Sequence, residues 1–190
     1  MFSKTFIATL LASTAAASPL VSARAEGNAF GLISIRSGSD LQARAINAAE
    51  GGLWIGKNTT TYCPLTSGCP AGNTTTFTAA NGLLSLNTAV PGGQQVYIAS
   101  NTSAISFTPP HSADTHGGKA QGWNYTAGQG ESFGKLSFPE YGFIACASTE
   151  GKGIYQVYAT LGGSATGNCT GIDIATVPFS GEGATAWEYI

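Results

Sequence analysis

Phe77-Thr78-Ala79-Ala80-Asn81-Gly82-Leu83-Leu84-Ser85-Leu86 is the stretch on which the fold turns. Apolar and polar residues alternate on both sides of Asn81-Gly82. That dipeptide tolerates the two left-handed backbone positions of a tight hairpin turn, so the stretch predicts strand, turn, strand.

The same signature spreads outward. Short apolar runs, broken by Gly, Asn, Ser or Pro, predict strands over 30–36, 53–56, 75–79, 83–87, 95–99, 104–108, 123–126, 135–138, 143–147, 154–159 and 172–177. Only residues 41–49 (LQARAINAA) have a helix-friendly composition. The runs also suggest a repeat. Phe30, Phe77 and Trp123 each open a hairpin-like unit and stand 47 and 46 residues apart. Three units of roughly 46 residues favour an all-β, β-trefoil-like barrel, with a β-sandwich as the alternative.

Composition agrees with a closed or sandwiched β fold. The 190 residues include 26 Gly and are 43% hydrophobic but only 9% charged, against about 25% charged in an average soluble protein. Coiled coils and exposed helical bundles need charged outer faces, so both are excluded. Eight basic residues against ten acidic ones leave no general phosphate-binding surface, which argues against nucleic acid as a partner.

Residues 1–17 (MFSKTFIATLLASTAAA) read as a secretory signal: Lys4, an uncharged run, then small residues. Cleavage is expected after Ala17, with Ala23 as the latest alternative, leaving one β domain over 18–190. The uncharged run is short for a membrane span, which needs about 20 residues. No membrane partner is expected once the signal is removed.

Two further features fit export. Asn58, Asn73, Asn101, Asn124 and Asn168 each begin an N-x-[ST] sequon. Asn168 is the poorest of these, because Cys169 is its middle residue. The four cysteines, Cys63, Cys69, Cys146 and Cys169, imply two bridges, for which three connectivities exist. Pro64, Ser67 and Gly68 form a turn that brings Cys63 and Cys69 together, which leaves Cys146 to pair with Cys169 across the 154–159 strand. Cys146 is expected near the core face. Zinc is not expected, since no C-x-x-C or neighbouring His accompanies these cysteines.

Chemistry is sparse. His111, Asp114 and His116 lie between Pro109-Pro110 and Gly117-Gly118 and read as a solvated loop rather than a metal site or a base. G-x-S-x-G is absent, and Asp114, Glu131, Glu140, Glu150 and Asp173 reveal no pairing by their spacing. No catalytic residue, metal or cofactor is expected. Among the aromatic residues, Trp187 and Tyr189 fall outside the candidate strands and are candidates to face a sugar ligand.

Four pieces of sequence resemble the PhiA-type fungal cell-wall proteins, a family often labelled IgE-binding. They are 30–39 (FGLISIRSGS), Gly122-Trp123, Phe143-Ile144-Ala145-Cys146, and 155–158 followed by Cys169-Thr170-Gly171-Ile172. The last third is also similar to the C-terminal domain of yeast-type wall mannoproteins with internal repeats, although their wall-linking glutamine repeats are absent. Cys63 and Cys69 depart from the PhiA-type pattern. The resemblance implies a secreted or wall-associated protein, linked to spore-bearing structures and stress, with no enzymatic activity. The expected function is therefore that of a glycosylated structural or protective wall protein, in contact with wall polysaccharide or wall proteins. A lectin-like carbohydrate-binding module is the alternative, and a secreted hydrolase the weaker one.

Overall fold

The computed structural model describes residues 29–129 and 132–190. The expected signal over 1–17, its later cleavage limit at 23, and Glu131 lie outside the described residues. Within them the hairpin is present: β5 (Phe77–Ala80) and β6 (Leu83–Leu86) pair antiparallel from Phe77↔Leu86 to Ala80↔Leu83. Asn81 and Gly82 have φ of 52° and 76°, the pair of positive values a type I′ turn requires. Phe77, Leu84 and Leu86 are buried, whereas Thr78 and Ser85 are half-buried.

The remaining elements are all strands, and no helix occurs among the described residues. They are β1 (Phe30–Ile35), β2 (Arg44–Ala49), β3 (Gly52–Ile55), β4 (Thr61–Tyr62), β7 (Gln94–Ile98), β8 (Ile105–Phe107), β9 (Asn124–Thr126), β10 (Gly134–Ser137), β11 (Tyr141–Ala147), β12 (Tyr155–Leu161), β13 (Cys169–Pro178) and β14 (Glu188–Tyr189). The all-β expectation is met. The helix-friendly stretch 41–49 contributes β2 instead. Pairing with β1 and along the whole of β3 buries Ile46, Ala48 and Ala49, and that burial outweighs the weak intrinsic preference of Ala for helix.

Hydrogen bonding runs β1-β5-β6-β7-β8-β3-β12-β11-β13 and returns to β1, closing a nine-strand antiparallel barrel. β2 spans β1 and β3, and the β9–β10 hairpin joins through β10 to residues 174–176 of β13, beyond the stretch that pairs with β11. Closure rests on the six-residue ladder from Phe30↔Pro178 to Ile35↔Asp173. Closing a sheet removes the unpaired edges that invite association. Three equivalent units are not evident in this pairing. β1 pairs with β13, β2 and β5, while β9 pairs with β10 alone. Nor do the barrel strands separate into two hydrogen-bonded sheets. Strand-turn-strand spacing fixes local hairpins, but not which distant strand each hairpin meets.

The interior follows the alternation. Phe30 and Leu32 on β1, Val96 and Ile98 on β7, and Ile172 and Ile174 on β13 point inward and join one apolar cluster. Aromatic rings extend it under the β9–β10 hairpin. Tyr125 stacks on Phe30 with ring centroids 4.2 Å apart, and Trp123 meets Phe138 edge-on at 5.1 Å.

Candidate functional site

The second, smaller sheet lies outside the barrel pairing and consists of β4 and β14, with Tyr62 opposite Glu188 and Thr61 opposite Tyr189. Neither strand was among the sequence candidates, because two residues carry no period. Tyr189 is not free to face a ligand, which corrects that expectation. It is 1% exposed, and its hydroxyl is within 3.0 Å of Thr74 O, 2.8 Å of Thr185 Oγ1 and 3.3 Å of Thr76 N. Burial raises its phenol above the usual tyrosine range, so it stays protonated and can donate.

The main chain of Tyr189 is held as firmly. Gln94 Oε1 accepts from Tyr189 N at 2.7 Å, while Gln94 Nε2 donates to Tyr189 O at 2.9 Å. One side-chain amide thus satisfies both backbone groups of a strand residue. Trp187 is half-buried, and its carbonyl accepts from Val90 N at 2.9 Å.

Residues directly opposite in an antiparallel ladder share a face, and neighbours along a strand alternate. With Tyr189 turned inward, Tyr62 and Glu188 face outward. Thr60 and Ile190 continue that outer row: Ile190 N donates to Thr60 O at 3.0 Å, and Thr60 Oγ1 donates to Ile190 O at 2.6 Å. Tyr62 is 54% exposed, an aromatic surface that the sequence reading passed over. The next residue, Cys63, is bonded to Cys69, closing a short loop that carries exposed Leu65.

The second bridge, Cys146–Cys169, joins residues directly opposite on β11 and β13, with Cα atoms 3.9 Å apart. β12 flanks the other side of β11, so the bond does not reach across it. Cys146 is half-buried and follows fully buried Ala145, so alternation turns it away from the core face where it was expected.

Asp114, His111 and His116 occupy an exposed turn. Asp114 Oδ1 accepts from His116 N at 2.7 Å, Asp114 Oδ2 lies 3.2 Å from His116 Nδ1, and Asp114 N donates to Ser112 Oγ at 3.1 Å. His116 and Asp114 are 78% and 65% exposed, so this pair is solvated and local. No group of three metal-binding side chains occurs among the described residues. A shallow cleft of about 350 Å³ has Gly142, Gly163 and Gly171 in its lining, together with Arg36 and Asp173. Asp173 is the one carboxylate along it.

Lys57 forms the most enclosed charge cluster. Its Nζ lies 2.5 Å from Glu50 Oε2, 2.6 Å from Glu150 Oε2 and 3.9 Å from the centre of the Trp54 ring. Burial pulls its ammonium pKa down, but hydrogen bonds to Glu150 and Glu50 outweigh this and hold it above the usual lysine value. All five sequon asparagines are exposed, with Asn124 on β9 and Asn168 donating to Ala147 O at 2.8 Å.

Comparison with known proteins adds what geometry alone does not. A family model described as PhiA-like secreted protein matches residues 30–190. An Arthroderma benhamiae protein named "Uncharacterized secreted protein" is 30% identical over 154 residues, 76% of each chain. "Cell wall protein phiA" of Aspergillus niger is 31% identical over 168 residues, 85% of each chain. No solved structure matches.

Proposed function

Because the chain belongs to the PhiA-like secreted protein family, we propose that it is a secreted, glycosylated, non-enzymatic protein of the fungal cell wall, with a structural and protective role. The observation that carries this reading is the extent of the family match, which takes in nearly all of the described β structure from residue 30 to 190. The relative named as a cell wall protein supports the location.

On this reading the signal over 1–17 is removed and 18–190 is exported as one β domain. Glycans occupy some of Asn58, Asn73, Asn101, Asn124 and Asn168, all of which are exposed. Protection of spore-bearing structures under stress is part of the same proposal. Contact with wall polysaccharide or wall proteins retains the protein, since Tyr62 and Ile190 offer exposed apolar surface beside Glu188. The solvated setting of Asp114 and His116 fits a non-catalytic loop.

Fractionation tests the reading. The protein is expected in the wall fraction of the producing fungus, with a mass that drops on enzymatic removal of N-glycans. Recovery from the culture medium alone would overturn the wall assignment.

A further inference from the structure

Five large hydrophobic residues are exposed among the described residues, and two of them, Tyr62 and Ile190, stand in the same outer row of one small sheet. Tyr62 is on β4, Leu65 is in the disulfide loop that follows it, and Ile190 continues β14. They are 54%, 43% and 52% exposed. In a chain with so little surface charge, two such residues in one row of a small sheet mark a contact surface rather than scatter.

We infer that the outward face of the β4–β14 sheet, centred on Tyr62, binds a neutral β-linked pyranose polymer, either a β-glucan or chitin. The inference deepens the wall reading and rests on it. Three features define the ligand. The Tyr62 ring offers a flat apolar face, which suits the C–H face of a pyranose whose substituents are equatorial. Glu188, directly across the ladder, is an acceptor for sugar hydroxyls. It is also the charged member of the outer row, which contains no cation to hold a polyanion, so an acidic polymer is disfavoured.

The backbone beneath the ring is fixed before any ligand arrives. Cys63 is bridged on one side of Tyr62, and Thr61 on the other side bonds to Gly72 O at 2.9 Å. Behind the sheet, Tyr189 is anchored by Gln94, Thr74, Thr76 and Thr185. A platform already ordered loses less entropy on binding.

The test uses the full mature protein on insoluble β-1,3-glucan, on chitin, and on an α-linked mannan, whose sugar ring has an axial hydroxyl. Wild-type protein is expected on glucan or chitin, and the two arms identify which. Tyr62→Ala should weaken retention by about tenfold, the loss of one stacking contact. Tyr62→Phe should retain binding, and Phe133→Ala, an exposed ring elsewhere, should change nothing. Equal melting temperatures establish that the variants fold. Failure of wild type on both polymers, equal retention on mannan, or an unchanged Tyr62→Ala variant would each overturn the inference. So would sedimentation in which Tyr62→Ala abolishes self-association, because the face would then be a contact between copies. Wall fractionation of the same variants separates the two claims. If wild type and Tyr62→Ala are equally wall-bound, the wall reading stands and the platform falls.

Discussion

The barrel wall and the β4–β14 sheet are held by different forces. Around the barrel, alternating side chains such as Leu32, Val96 and Ile174 bury apolar surface, and long ladders follow from that. In the small sheet the ladder is two pairs long, and side-chain amides and hydroxyls supply what length does not. The wall is cooperative and tolerant, because many contacts share the load. The sheet depends on a few groups, each with a unique role.

The contrast predicts where single changes hurt. Tyr189→Ala should have the largest effect, about 3–5 kcal/mol, since it empties a buried aromatic site and strands the polar groups around it. Tyr189→Phe should cost about 1–3 kcal/mol, the penalty for orphaned buried partners. Denaturant unfolding measures both, and a near-neutral Tyr189→Ala would erase the distinction between the regions.

The bridges sharpen it next. Replacing Cys146 and Cys169 together with Ser should cost about 3 kcal/mol, and replacing Cys63 and Cys69 about 2 kcal/mol, because the second pair closes the shorter loop. A reversed order would mean that the small sheet relies on its loop more than on Gln94. Reduction should also weaken polymer retention through the Cys63–Cys69 loop.

Lys57 gives a pH test. Its pKa is raised in the folded protein, so its contribution is fully present below the unfolded lysine value of about 10.4 and is lost as pH rises through the higher folded value. Stability to alkali should therefore fall above that range, and Lys57→Met should flatten this part of the profile. The smallest effect is expected at the exposed turn, where His111→Ala with His116→Ala should stay within about 0.5 kcal/mol in thermal melts.

Much of the wall was legible because burial alternates with residue number. Eleven predicted strands match β1, β3 and β5 through β13, with ends shifted by a few residues. The three strands missed have local reasons. β2 is rich in Ala and takes its conformation from β1 and β3, while β4 and β14 are too short to show a period. Beyond the β5–β6 hairpin, partner choice was not legible, since the β1–β13 closure depends on residues more than a hundred positions apart. The candidate surface was half legible. Of the two C-terminal aromatic residues, Tyr189 lies in the small sheet and Trp187 just before it, but alternation places Tyr189 inward and leaves the outer face to Tyr62, paired with Glu188 126 positions later. Gln94 gave no signal, because the Gln94-Gln95 pair that opens β7 resembles a solvent-facing strand end.

The pairing of Thr60 with Ile190 across 130 positions also sets a clock. At synthesis rates of about 5–20 residues per second, β4 emerges roughly ten seconds before its partner exists. During that interval the segment from Asn58 to Asn73 lacks its β14 partner. Cys63 and Cys69 then meet as the ends of one short loop, where closure is fast, so their bridge can form before β14 exists.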